Sequence, residues 1–307
     1  MIELDHVSKR YAGRVALDDV SLAVGAGDLF VLVGPSGSGK STLLKAINRM
    51  APISSGTIRF AGADIASYKP EALRRRIGYV IQSVGLFPHW TIERNIGAVP
   101  ELLGWPKRRI SARTTELMTM LGLDPERSRA LYPHQLSGGQ QQRVGVARAL
   151  AADPEMLLMD EPFGALDPLT REALQSELLA LHKQTGKTIV LVTHDMDEAL
   201  RLATRLAVLE DGRLTQLGTP AEILVHPATP FVQRFVGGAD HAMKLLAFAT
   251  VADRMRPGES APGEPIAATA TLREALAEMV ARGATALPVA SGAAAAGAIR
   301  LEDLVRR

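Results

Sequence analysis

Leu29 to Val33 is a continuous apolar run that ends in Gly34-Pro35-Ser36-Gly37-Ser38-Gly39, which predicts a strand buried on both faces, then a loop. Just upstream, Val15, Leu17, Val20, Leu22 and Val24 partly alternate, as in a strand with one covered face. From Lys40 to Arg49 the period changes, with Leu43, Leu44 and Ile47 at helical spacing. Further short apolar runs follow at Ile77 to Ile81, Met156 to Met159, Thr188 to Val192 and Leu206 to Leu209. Strands alternating with helices predict an α/β fold, a largely parallel sheet covered on both faces.

Between Glu93 and Ala152 the strand pattern stops and helical spacing such as Leu117, Met118, Leu121 replaces it, so an inserted helical lobe is expected. Asp211-Gly212 predicts a hairpin turn, and Thr219-Pro220-Ala221-Glu222 a capped helix start. Residues 226 to about 264 are rich in Gly, Pro and Ala, with Arg256-Pro257-Gly258 and Pro262-Gly263 as breakers, which reads as a linker. Beyond it, Thr271 and Glu274 form a capping box ahead of Leu272, Ala275, Leu276, Met279 and Val280 on one helical face. Strands at Ala284 to Ala290 and Gly297 to Arg300 and a helix from Leu301 to Val305 would complete a module too small to be stable unless it packs on something.

Composition narrows the chemistry. Thirty-five Lys and Arg against 33 Asp and Glu leave a charge of +2 over 307 residues, too little and too scattered for a nucleic-acid footprint. Zero cysteines exclude disulfides, thiolate metal sites and a cysteine nucleophile. The opening Met1-Ile2-Glu3-Leu4-Asp5-His6 carries acids where a secretory signal has a basic start and an apolar run, so export by that route is not expected. The longest late uncharged stretch, Gly283 to Ile299, is Ala- and Gly-rich and broken by Pro288. No transmembrane segment is expected, and any membrane role would run through partners.

Two motifs then carry chemistry. Gly34-Pro35-Ser36-Gly37-Ser38-Gly39-Lys40-Ser41-Thr42 matches the phosphate-binding P-loop, with a strand before it and a helix after it. Its glycines let backbone N–H groups approach phosphate oxygens, Lys40 reaches the β- and γ-phosphates, and Ser41 is a magnesium ligand. Leu157-Leu158-Met159-Asp160-Glu161 ends a buried strand in two carboxylates, Asp160 for the magnesium shell and Glu161 as the base that orients or deprotonates water.

The order of these motifs around Leu136-Ser137-Gly138-Gly139-Gln140 and the following Gln141-Gln142-Arg143-Val144 resembles the ATP-binding cassette (ABC) ATPases over residues 1 to about 225. The resemblance implies a RecA-like P-loop core with an antiparallel β subdomain and a helical subdomain at about 90–152, binding ATP and Mg2+. It makes Tyr11 the aromatic that stacks on adenine. Gln82 becomes the Q-loop glutamine near magnesium and water, Ala165-Leu166-Asp167 the D-loop with Gly164 where many members have serine, and His194 the switch histidine at the γ-phosphate. Asp195 and Glu198 are expected to cap the helix behind it. Ser137, Gly138, Gly139 and Gln140 would face the nucleotide held by a second copy paired head to tail.

With one P-loop and no sustained heptads, the chain is less similar to ribosomal or DNA-repair members. The stretch Gly85 to Trp105, including Val99-Pro100-Glu101-Leu102, resembles ATPases of glycine betaine, choline and carnitine importers, the osmoprotectant branch. An importer motor at the cytoplasmic face of the membrane is thus implied, with permease subunits, a substrate-binding protein and no nucleic acid; a motor for another small molecule is the alternative. Phe87 and Trp90 would anchor a permease helix. Residues 265–307, with Leu287-Pro288-Val289 and Leu301-Glu302-Asp303-Leu304, resemble one incomplete cystathionine-β-synthase (CBS) motif.

Overall fold

The structure is a computed structural model that describes residues 1–83, 85–237, 241–292 and 294–304. Val84 in the expected permease-facing stretch and Val305 in the expected last helix lie outside the described residues. The chain divides into two compact units, Met1–Pro220 and Ala221–Arg307.

The first unit opens with long antiparallel strands β1 (Ile2–Tyr11) and β2 (Arg14–Val24). The buried β3 (Leu29–Val33) follows and feeds through the glycine loop into α1 (Lys40–Ile47). β4 (Ser55–Phe60) and β5 (Ala63–Asp64) extend the first pair into a sheet of order β2-β1-β4-β5. Helix α2 (Pro70–Arg76) then leads into β6 (Ile77–Val80). As the period-3.6 pattern requires, the next stretch is helical: α3 (Ile92–Leu102), α4 (Lys107–Met120), α5 (Pro125–Ser128) and α6 (Gly138–Leu150). α3, α4 and α6 pack on one another.

The chain returns as β7 (Met156–Asp160), α7 (Pro168–Thr185), β8 (Thr188–Thr193), α8 (Met196–Leu202), β9 (Arg205–Glu210) and β10 (Arg213–Gly218). The second sheet has order β10-β9-β3-β8-β7-β6 and is parallel except for β10, which the Asp211-Gly212 turn reverses. Both faces of β3, β7 and β8 are buried, which is why these strands read as unbroken apolar runs rather than alternations. Phe30 and Leu32 of β3, Leu158 of β7, and Val190 and Val192 of β8 join Leu17, Ile58 and Phe60 of the antiparallel sheet and Leu43, Leu44 and Ile47 of α1 in one core.

The second unit corrects the expected linker. Within 226–264 the chain forms α10 (Pro230–Gly237) and α11 (His241–Leu246), after α9 (Pro220–Val225), and then strand β11 (Arg256–Pro257). β12 (Ile266–Ala267), α12 (Leu272–Arg282), β13 (Ala286–Ser291), β14 (Ala294–Arg300) and α13 (Leu301–Leu304) complete it, in a sheet of order β11-β14-β13-β12. Val251, fully buried, belongs to the same core as Leu272, Leu287, Val289 and Ile299, with Leu246 and Met255 packed against it. The expected start near residue 265 therefore cuts through a hydrophobic core. The short segments upstream supply the packing that forty residues alone lacked.

Candidate functional site

Strands β3, β8, β7 and β6 lie side by side and end at the same level, with Val33 opposite Thr193, Val192 opposite Asp160 and Met159 opposite Val80. The loops leaving their carboxyl ends are therefore neighbours, the crevice in which open α/β sheets hold ligands.

The first loop is the Gly34–Gly39 turn. Gly34 is at φ 157°, and a Cβ there would lie 2.1 Å from the Leu209 carbonyl oxygen; Gly39, at φ 100°, would meet the Ala16 carbonyl at 2.5 Å. Only glycine lets the backbone pass this close. Pro35, Ser36 and Gly37 are exposed, whereas Ser38 is buried. Lys40 begins α1 and is buried, its Nζ donating to the carbonyls of Gly34 and Pro35 at 2.8 Å each. Burial pushes the Lys40 ammonium below its ordinary pKa, while the charges of Glu161 and Asp160 oppose that shift. Ser41 Oγ donates to Asp160 Oδ1 at 2.7 Å, and Thr42 follows it in the helix.

Asp160 is the last residue of β7 and is buried. Glu161 follows at φ 45°, a left-handed conformation unfavourable for a residue with a Cβ; its N–H donates to Val192 O at 2.9 Å. That turn aims its carboxylate across the sheet edge. Gln82 Nε2 donates to Glu161 Oε2 at 3.1 Å, and His194 Nδ1 stands 3.3 Å from the same oxygen. Gln82 and His194, from two neighbouring strand ends, thus converge on the Glu161 carboxylate. Ser41, Asp160 and the Gln82 amide are oxygen donors of the type that hard divalent cations take.

Ser137 is the N-cap of α6: its Oγ accepts from Gln140 N at 3.3 Å and its N–H donates to Gln140 Oε1 at 2.9 Å. Ser137 and Gly138 are exposed. Gly139 abuts α7, where a Cβ would meet Thr170 Cγ2 at 2.6 Å. Asp167 caps α7 by accepting from Thr170 N at 3.1 Å, and hydrogen bonding by Thr170 holds its carboxyl below the ordinary pKa. At Gly164 a Cβ would sit 3.6 Å from both Glu161 O and Glu161 Oε2, an ordinary contact.

Tyr11 is 48% exposed at the end of β1, under Lys9 Nζ at 4.7 Å from its ring centre. Its register partner Arg14 donates to Gly37 O at 3.5 Å, so the hairpin that carries the tyrosine reaches the glycine loop. Phe87 and Trp90 pack with ring centres 4.3 Å apart, Phe87 exposed and Trp90 half-buried.

The expected capping box at α8 is half right. Asp195 does cap it, accepting from Asp197 N at 2.8 Å and Glu198 N at 3.1 Å. Glu198, however, is buried, and its Oε2 accepts from Gln175 Nε2 on α7 at 3.3 Å. The Asp195 N–H, the expected partner of Glu198, donates to Thr193 Oγ1 instead. Arg171 and Gln175 on α7 escaped the sequence reading, because nothing local marks two polar residues on a helix as facing another loop.

The family described as ABC transporter matches residues 17–164. The glycine betaine uptake system ATP-binding protein YehX of Escherichia coli (strain K12) is 53% identical over 306 residues, 99% of this chain and 99% of the relative. The glycine betaine/carnitine/choline transport ATP-binding protein OpuCA of Bacillus subtilis (strain 168) is 52% identical over 238 residues, 77% of this chain and 62% of that relative. Among solved structures, the dimeric ATP-binding cassette MJ0796 in a post-hydrolysis state bound to ADP and Pi covers 72% of this chain and 99% of its own, at 34% identity and a TM-score of 0.64.

Proposed function

The chain belongs to the ABC transporter family of ATP-binding, ATP-hydrolysing proteins, and from that premise we propose that it drives an importer for a quaternary ammonium osmoprotectant of the glycine betaine, choline and carnitine class. The names of the relatives support the cargo. The observation that carries the catalytic reading is the convergence of Gln82 and His194 on Glu161, beside the Ser41–Asp160 contact.

Phosphates lie against the backbone N–H groups of Gly34 to Gly39 and the N-terminus of α1, with Lys40 Nζ as the cation at the loop mouth. Tyr11 stacks on the base. Ser41, Asp160 and Gln82 hold Mg2+; when bound, the ion neutralises charge on the phosphate oxygens. Glu161 accepts the proton of the attacking water, Gln82 orients its carboxylate, and His194 contacts the terminal phosphate.

Ser137 sits on an exposed helix start whose side-chain bonds stay within its own turn. It and Gly138, Gly139 and Gln140 serve the nucleotide of a second copy paired head to tail, with Asp167 at that same junction. The dimeric relative supports this arrangement. Among the described residues no helix is long and apolar enough to cross a membrane. Transport then runs through separate permease subunits, which receive this chain at the cytoplasmic face through Phe87 and Trp90, and cargo arrives on a substrate-binding protein. The β12-α12-β13-β14-α13 segment acts as a single CBS-like motif that binds no nucleotide by itself.

Reconstitution with the permease and binding protein tests the proposal. ATP-dependent glycine betaine uptake is expected, with Glu161→Gln binding ATP while losing roughly 10²- to 10⁴-fold in turnover. Normal hydrolysis by Glu161→Gln would refute the catalytic reading. Uptake restricted to an unrelated small molecule would refute the cargo alone.

A further inference from the structure

Two loops that the proposed function uses, Ala165–Asp167 ahead of α7 and His194 ahead of α8, meet through side chains to which no role has yet been given. Arg171, one turn into α7, donates from Nη2 to the Leu166 carbonyl at 3.3 Å. Its Nη1 faces Asp195 Oδ2 at 3.8 Å, the residue immediately after His194. Its Nε is buried and makes no hydrogen bond, so two arms of the guanidinium are spent on two different loops. One turn farther along, Gln175 bonds Glu198 on α8, and Arg201 Nη1 donates to Gln175 Oε1 at 3.3 Å. The two helices are thus held by two polar rungs on the same face, at 171 and 175, as the helical repeat permits.

The connection does not stop at Leu166. A Cβ on Gly138 would lie 3.8 Å from Leu166 Cδ2, and one on Gly139 would lie 2.6 Å from Thr170. The segment that Arg171 grips is therefore packed against the exposed start of α6. His194 in turn touches Glu161. A continuous run of contacts leads from the base, through His194 and Asp195, across Arg171 to Leu166 and on to Gly138.

We propose that Arg171 is a positioning residue for ATP hydrolysis, clasping the Leu166 carbonyl to the His194–Asp195 loop so that the base side of the site and the start of α6 move together. The inference rests on the proposed roles of Glu161, His194 and the Ser137–Gln140 segment. Arginine suits the task because its planar fork serves two acceptors at once, whereas a lysine ammonium on a flexible stem serves one at a time. Arg171 bonds Leu166 and Asp195 and not Lys40 or Ser41, so its loss is expected to act on turnover rather than on nucleotide affinity.

The test uses the full chain assembled with its permease. Arg171→Met, which keeps the apolar stem, is expected to lower kcat about tenfold or more while the KM for ATP stays within about twofold. Arg171→Lys is expected to recover part of that loss. Asp195→Asn preserves the helix cap but removes the charge, and combined with Arg171→Met it is expected to add less than its separate effect, since both remove one contact. In a Glu161→Gln background, Arg171→Met is also expected to reduce ATP-dependent pairing of two copies. A parent-like kcat for Arg171→Met, a loss confined to KM, or strict additivity with Asp195→Asn would each overturn the proposal. If Arg171→Met does not fold, parent rates in both Arg171→Lys and Asp195→Asn overturn it. Measuring Glu161→Gln alone in parallel separates the two readings: an active Glu161→Gln refutes the site, whereas an inactive Glu161→Gln beside a normal Arg171→Met refutes only the clasp.

Discussion

Ser41 Oγ donates a 2.7 Å hydrogen bond to Asp160 Oδ1, joining side chains 119 positions apart in the chain. That contact fastens the helix that opens on Lys40 to the end of the strand that delivers Glu161. It also places a hydroxyl and a carboxylate oxygen together at the edge of the glycine loop, where hard cations favour oxygen donors.

Ser41→Ala removes one of those two oxygens and leaves Asp160 without its donor. The Mg2+ concentration for half-maximal hydrolysis is expected to rise about tenfold, about 1.4 kcal/mol, with Lys40 and the fold intact. Titrating hydrolysis against Mg2+ in parent and variant checks it, and chelation of Mg2+ is expected to stop both. Identical titration curves would remove Ser41 from the ligand set.

Glu198 gives the chain a distinctive stability profile. Burial, then the charge of Asp195, push its carboxyl up to about 7, against hydrogen bonds from Thr193 and Gln175 and the charge of Arg171 that favour ionisation. Arg201 reaches the same cluster through Gln175. An unfolded glutamate ionises near 4.3, so the folded state holds its proton longer. The advantage of the protonated form is complete below that value, is lost as pH rises towards 7, and stays lost above it. The difference amounts to roughly 3 to 4 kcal/mol. Glu198→Gln is expected to remove this dependence, so that the variant gains stability on the parent between pH 5 and 8. Denaturant unfolding at both pH values tests it; a constant gap between the two proteins would show that Glu198 ionises normally.

A mixture of Ser137→Arg and Lys40→Ala chains probes the composite site. Each homodimer lacks a working site, yet the mixed pair unites the intact glycine loop of one chain with the intact Ser137 of the other. ATP-driven pairing is expected only in the mixture, read by sedimentation of folded proteins. Pairing no stronger than in either single variant would count against head-to-tail assembly.

In the second unit, Asp303 is almost fully buried, accepting from Arg256 Nη2 at 2.8 Å and from Arg300 N at 3.0 Å. Asp303→Ala removes the buried acceptor of both donors, leaving Arg256 only its more exposed partners Glu302 and Glu259. The unfolding midpoint of this unit is expected to fall by roughly 5 °C or more, without change in ATP hydrolysis by the first. Calorimetry with a hydrolysis assay decides, and a parallel loss of activity would mean that the units are energetically coupled.

The glycine loop, the Asp211-Gly212 turn and the capping box at Thr271–Glu274 were legible because each is a local device whose partners lie within a few residues. The buried strands were legible for a similar reason, since a run covered on both faces is apolar throughout. The helices at 230–237 and 241–246 are too short to establish a period among prolines and glycines, and Val251 joins its core through contacts distant in sequence. Glu198 matched a cap by spacing, but a buried donor on α7 drew its carboxylate away.

The amino-acid sequence by itself marked the phosphate loop and the carboxylate pair as candidates for the chemistry, because each needs particular residue types at particular spacings. Only the tertiary structure decided that Gln82, Glu161 and His194 meet at one oxygen. That meeting depends on the strand order β3-β8-β7-β6, set by the pairing of segments separated by the whole helical lobe. No local pattern encodes such an order, because strand pairing is chosen by the packing of entire faces against one another.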